Sequence, residues 1–271
     1  MGSEPVPRGA ALLDALESGE LRVAEPGAGG AWVVHAAVKE AILDLFREGE
    51  VVPMGNELPR ESYQALDLGA APYRDKDLLR VRRFNKRDGV RMVPGGSAVR
   101  RGAHLAQGVV CMPPMYVNVG AWVGAGSMID SHALVGSCAQ IGAGVHVAAG
   151  AQIGGVLEPP GARPVIVEDG AFVGGGCGLY GGVLLRAGAV LAAGVVLTAT
   201  TRVYDLVQER ELHGTGEAPL EVPAGAVVVP GSRPAAGAWA AERGLGVDCA
   251  LITKYRDERT AAATALEEAL R

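Results

Sequence analysis

An aliphatic side chain returns every six residues through the middle of this chain. The series runs Val99, Leu105, Val117, Val123, Ile129, Val135, Ile141, Val147 and Ile153, with Cys111 taking the missing rung. After an interruption it resumes at Val167, Val173, Leu179, Leu185, Leu191, Leu197 and Val203. A period of six is a multiple of two and so suits strands. The positions between are mostly glycine, alanine and serine, as in AWVGAG, LVGSCA and QIGAGV, which rules out an ordinary two-faced sheet. Hexapeptide repetition predicts a parallel β-helix, each repeat being one short strand and one turn. Three repeats close one triangular coil, the rungs stack along the axis, and each coil buries its neighbour.

The interruptions are informative. Ile153 and Val167 stand fourteen residues apart, so the period predicts an excursion over 154–166. A second is predicted over 204–221, after which the period returns at Val222 and Val228. Loops carried on a rigid scaffold often supply binding groups. Outside the ladder the period changes to that of helices. Leu12, Leu13 and Leu16 predict a short helix over Ala11–Ser18, stopped by Gly19. Ala37, Val38, Ala41, Ile42 and Leu45 predict a second over His35–Arg47, with Lys39, Glu40, Asp44 and Arg47 facing water or a neighbour. A strand is expected at LRVAE, and Pro53, Gly55, Asn56 and Pro59 mark a loop. The organisation expected is a small, mainly helical α/β domain over 1–94, a β-helix over 95–234 and a capping segment over 235–271 that ends in an alanine-rich helix.

Composition narrows the function more than the fold. A net charge of −5 gives no reason to expect nucleic acid or a membrane surface as partner. No secretory leader and no apolar run long enough to span a bilayer is legible, so a cytoplasmic location is expected. Cys111, Cys138, Cys177 and Cys249 lack ligand spacing and read as reduced, packed thiols, with no metal expected.

A filled prism leaves no internal pocket, so a groove between prisms is the expected binding place, and three-fold association makes identical grooves. Polar residues that interrupt the repeat then carry the candidate chemistry: Asn118, Asp130, Ser131, His132 and Ser137. Asp130 follows the rung Ile129 and is expected to point away from the axis, where a carboxylate orients or deprotonates an amine. The competing reading is a turn acid capping backbone N–H groups. His132, His146 and His104 are alternative bases, and Glu158 and Arg163 lie in the excursion.

The runs ESGELRVAE, VRMVP, MPPMYVNVGAWVGAGSMIDSHALVGSCAQIG, IGGVLEP, PVIVEDGAFVG, TRVYD and VPAGAVVVPG closely resemble the tetrahydrodipicolinate N-succinyltransferases, a family of left-handed β-helix acyltransferases. The resemblance covers nearly the whole chain. It implies the left-handed coil, a homotrimer with inter-subunit active sites, and succinyl-CoA as a cosubstrate with no tightly bound cofactor. It also implies Asp130 as the catalytic and substrate-contacting carboxylate and Arg91 as a substrate-binding arginine, and Asn118 and Ser131, from the polar interruptions of the repeat, are expected to join them in binding substrate. Gly154, Gly155, Lys254 and Arg256 are the expected contacts to the CoA. The activity implied is succinyl transfer to tetrahydrodipicolinate, in its opened L-2-amino-6-oxopimelate form, in lysine and diaminopimelate biosynthesis. Alternatives are acetyl-CoA-dependent or specialised amino-acid acylation, and a noncatalytic trimeric metabolite-binding scaffold. One departure favours the last: Gly178 and Gly181 stand where some relatives carry glutamate.

Overall fold

The computed structural model describes residues 5–54, 73–215 and 218–257. Its body is a prism of two-residue parallel strands on three faces, consistent with the left-handed β-helix acyltransferase fold. The first face stacks Ala98–Val99, Tyr116–Val117, Leu134–Val135, Gln152–Ile153, Gly178–Leu179 and Val196–Leu197. The second stacks His104–Leu105, Trp122–Val123, Gln140–Ile141, Ile166–Val167, Leu184–Leu185 and Glu221–Val222. The third begins at Arg91–Met92 and continues through Val110–Cys111, Met128–Ile129, His146–Val147, Phe172–Val173 and Val190–Leu191.

Rungs pair with rungs, Val123 opposite Ile141 and Ile129 opposite Val147. From Val99 to Leu197 no rung is more than 3% exposed. A second inward stack lies two residues before the rungs. Its members include Ala103, Val109, Ala121, Ala133, Val145 and Ala171, which the sequence presents as mere filling. Ser127 joins this stack as a buried polar residue because it is satisfied there. Its hydroxyl donates to the Gly142 carbonyl at 2.8 Å and accepts from the Val145 N–H at 3.0 Å.

The excursion leaves the coil at Gly154, and the chain rejoins at Ile166–Val167. The rung expected at Val203 is not one. Val203–Asp205 pairs with Gly246–Tyr255 and Arg210–Leu212 in the extended third sheet, although Val203 itself is buried. The place on the second face falls to Val222, which pairs with Leu185. Spacing counts residues, and a hairpin can hold the phase while leaving the coil. Ala226–Pro234 adds to Val190–Leu191 and folds back on Gly246–Tyr255, so the last coil ends in a hairpin.

Helix α1 (Gly9–Ser18) ends on Gly19, in the left-handed conformation, and α2 spans Ala36–Glu48. Between them Ala24–Pro26 and Trp32–Val34 form a small antiparallel pair. Both helices press onto turns of the prism. A Cβ on Gly102 would lie 2.7 Å from Leu13, and one on Gly120 would lie 2.8 Å from Ile42. Both glycines also have positive φ, 76° and 75°, so only glycine serves. In α2, Ala37 is exposed, the reverse of the expectation, while Lys39 is fully buried and faces a neighbour rather than water. Residues 55–72, which contain most of the expected loop, and the expected terminal helix over 260–271 lie outside the described residues.

Candidate functional site

A residue that follows a rung falls at the edge between that face and the next. Asp130 follows Ile129 and stands at the edge from the third face to the first. Its side chain is 28% exposed. One carboxylate oxygen accepts from the Ser131 N–H at 2.6 Å, and the other lies 3.7 Å from His146 Nε2. The turn-cap reading is therefore half right: one oxygen caps, while the carboxylate still reaches the surface. His146 belongs to the adjoining coil, paired with Met128, and its ring meets Phe172 edge-on with centroids 5.1 Å apart.

Arg91 is exposed on the third face, paired with Val110, which in turn pairs with Met128. Two strand steps of about 4.8 Å separate the Arg91 strand from that of Asp130. The structure thus brings Arg91, Asp130 and Ser131 to one side of the prism. Asn118 lies at the edge from the first face to the second, where its side-chain oxygen accepts from the Val119 N–H at 2.8 Å and from the Tyr116 hydroxyl at 3.3 Å.

Gly154 and Gly155 share that edge with Asn118, but differ from each other. A Cβ on Gly154 would lie 2.7 Å from the Tyr180 ring, and one on Gly178 would lie 2.6 Å from it. The two glycines, on adjoining coils, form a cradle for this aromatic ring, which leaves Gly154 buried and Gly155 at the surface. The space a side chain at 178 would need is filled by Tyr180. Arg256 stands at the third edge, from the second face to the third, donating to the Gly170 carbonyl at 3.0 Å and reaching that of Gly188 at 3.4 Å. Lys254 pairs with Asp257 at 3.2 Å. Within one chain the expected CoA contacts therefore do not converge with Asp130.

Of the remaining candidates, His104 and Arg163 have structural contacts. His104 stacks on Trp122 at 3.9 Å and meets the Glu17 carbonyl at 2.9 Å, and burial pulls its pKa down. His132 is exposed, with a positive φ of 61° where most of the repeat has glycine. Arg163 ties the excursion back, donating to the carbonyls of Gly182 and Pro219 at 2.9 and 2.8 Å and pairing with Glu221. Glu158 is exposed. Burial pushes the thiols of Cys111 and Cys138 up to about 12, so neither is a nucleophile at neutral pH. Among the described residues no cluster of three His, Cys, Asp or Glu side chains could hold a metal.

Three residues escaped the sequence reading. Lys39 donates to the carbonyls of Pro159 and Ala162 at 3.1 and 2.8 Å, latching α2 to the excursion, and burial lowers its pKa. Its signal was its place beside Val38, one helical turn before Ile42, on the flank of the apolar stripe. Arg22 donates to Gln140 at 2.7 Å, its guanidinium 4.2 Å from the Trp122 ring centroid and 5.3 Å from that of Trp32. Burial brings its pKa down to about 10. Tyr180 is a rare aromatic in a glycine run, and that isolation was its only mark.

Comparison with known proteins gives one answer from several directions. Residues 10–47 match the family described as Tetrahydrodipicolinate N-succinyltransferase N-terminal, and residues 164–199 match the Hexapeptide repeat of succinyl-transferase. A 2,3,4,5-tetrahydropyridine-2,6-dicarboxylate N-succinyltransferase of Afipia carboxidovorans is 42% identical over 264 residues, covering 96% of this chain and 87% of that protein. One from Paramagnetospirillum magneticum is 45% identical over 262 residues, covering 96% and 88%. A crystal structure of a putative 2,3,4,5-tetrahydropyridine-2-carboxylate N-succinyltransferase from Campylobacter jejuni aligns with 94% of this chain at 18% identity and a TM-score of 0.46. The chain spans 63% of that protein, and at this distance the likeness bears no further weight.

Proposed function

The chain belongs to the tetrahydrodipicolinate N-succinyltransferase family, and we infer from this that its reaction is succinyl transfer in the diaminopimelate–lysine pathway. The donor is succinyl-CoA. The acceptor is the amino group of the opened form of tetrahydrodipicolinate. The observation that supports a role for Asp130 is its placement: outward from a fully buried rung, 28% exposed, with one oxygen already anchored by Ser131.

In the reaction, Asp130 takes a proton from the amine as nitrogen attacks the thioester carbonyl. The C–N bond forms, the C–S bond breaks, and the proton passes to the departing thiolate to give CoA. Arg91, on the same side of the prism, offers a planar fork to a carboxylate of the acceptor. A thioester is already activated, so the chemistry asks for positioning and one proton carrier rather than a covalent enzyme intermediate.

The working form is proposed to be a homotrimer with grooves between subunits. Asp130 and Ser131 occupy one edge of the prism, Asn118 and Gly155 a second, and Arg256 a third. A single prism turns these edges away from one another, whereas apposed prisms can face one edge against another. Arg256 and Lys254 are then carried toward phosphate by a neighbouring edge.

The test is steady-state turnover of tetrahydrodipicolinate with succinyl-CoA and acetyl-CoA in parallel, for wild type and Asp130→Asn. Wild type is expected to prefer succinyl-CoA. The variant is expected to lose about 10²–10⁴-fold in kcat, with unchanged melting temperature and CoA affinity. Wild-type turnover by Asp130→Asn would remove this aspartate as the base. A wild type that neither binds CoA nor cleaves a thioester would leave the scaffold reading.

A further inference from the structure

We propose that His146 is the positioning residue of Asp130, a buried imidazole that holds the carboxylate from behind and never touches substrate. This deepens the reading of Asp130 as the base and rests on it.

The outward row of the third face runs Val110, Met128, His146, Phe172 and Val190, along the register Val110↔Met128, Met128↔His146, His146↔Phe172 and Phe172↔Val190. Beyond Arg91, which opens the row opposite Val110, these positions are apolar except at His146. A valine, methionine or phenylalanine suits the places flanking it, so packing alone does not call for an imidazole. A buried polar ring is costly unless it has polar company. Asp130 is a carboxylate it faces, 3.7 Å from Nε2.

Exposure divides the labour. The side chain of Asp130 is 28% exposed and that of His146 5%. A base must reach the amine, and only the carboxylate does so. The two oxygens of Asp130 then have different keepers: the Ser131 N–H holds one at 2.6 Å, and His146 stands behind the other. The Phe172 edge contact limits rotation of the imidazole. At 3.7 Å the His–Asp contact is longer than a hydrogen bond, as such contacts often are before substrate binds. The chemistry needs no proton on balance from His146. The amine proton moves to Asp130 and on to the thiolate, while Nε2–H donates throughout to keep the carboxylate aimed at the groove.

His146→Met copies the residue already present one coil away, so it preserves the packing of the row and removes the donor. His146→Gln retains an N–H near the position of Nε2. The expected result is a drop of about tenfold or more in kcat for His146→Met, with KM for succinyl-CoA unchanged. His146→Gln should recover most of the loss. In an Asp130→Asn background, His146→Met should cause no further loss, because a residue that acts through the carboxylate has nothing left to act on. A simple packing defect would lower melting temperature in both backgrounds and would multiply with the Asp130 effect. Wild-type kcat in a folded His146→Met, or multiplying losses in the double variant, overturns the proposal while leaving Asp130 in place. An inactive wild type overturns the underlying reading instead. If His146→Met fails to fold, ring resonances of His146 in otherwise wild-type protein decide: they shift on Asp130→Asn if the two groups interact, and their constancy overturns the proposal.

Discussion

At the scale of single residues, neighbours on adjoining coils decide what a position can hold. Gly178 is the clearest case, since a Cβ there would meet the Tyr180 ring at 2.6 Å. Gly178→Ala is expected to destabilise the protein by about 1–3 kcal/mol by forcing the ring out of its cradle. Combining it with Tyr180→Ser should recover most of that loss. Urea midpoints of both single variants and the double variant check this, and additive losses would show that the cradle is not the cause. The missing glutamate is thus a local exchange of chemistry: an aromatic surface occupies the space of a carboxylate. That exchange was half legible. The glycines at 178 and 181 stood out in the sequence, but an aromatic two residues along a strand from Gly178 gives no hint that it folds back over it. Asp130 was legible because following a rung fixes its direction. His146 was read only as a competing base, since its burial depends on a row assembled from five coils.

At the scale of elements, the six-residue period carried most of the information. It located every strand of the prism from Val99 to Leu197 because each rung is judged by the same stack. It failed at Val203, where a hairpin kept the count without keeping the face, and it missed the second inward stack because valines there, such as Val109 and Val145, alternate with alanines and Ser127 that look alike inside or out. Asp205 shows what replaces the coil there. Its fully buried carboxylate accepts from the Tyr255 hydroxyl at 2.7 Å, from Arg210 at 3.3 Å, and from the Val207 and Gln208 N–H groups at 3.2 and 3.1 Å. Burial alone would raise its pKa, but these donors outweigh burial and hold it below the usual carboxylate range. Its contribution to stability is therefore complete above the unfolded value, near 4, and is lost as pH falls through the lower folded value. Urea midpoints should decline over that acid window for wild type, and less steeply for Asp205→Asn. Lys39 makes the corresponding link at the other end. Lys39→Met should speed amide exchange across 156–162 by removing two hydrogen bonds to the excursion. Global stability should change by less than about 2 kcal/mol, since the variant also removes a buried charge. Protection equal to wild type in that loop would show that the latch is not what orders it.

At the scale of the whole molecule, the prism distributes its candidate residues around its edges. Light scattering is expected to give a mass about three times the 27.7 kDa of one chain, and an active monomer would defeat the groove proposal. Arg91 and Asp130 lie on the same side of the prism, so they are expected to serve one groove from one chain. Mixing Arg91→Ala with Asp130→Asn subunits should then leave activity absent, and restored activity would place them on opposite walls.

The long tethers across the molecule also bear on how it is made. Arg22 bonds to a residue 118 positions later, Lys39 to one 120 later and Trp32 to one 136 later. At about 5–20 residues per second of synthesis, the receiving carbonyl for Lys39 is made roughly 6–24 s after the lysine itself. The helical segment thus leaves the ribosome well before the surface it packs on and is among the last parts to be finished. Leu12, Leu13 and Ile42 wait for a surface assembled rung by rung behind them, and until it arrives they are the segment a chaperone has most reason to hold.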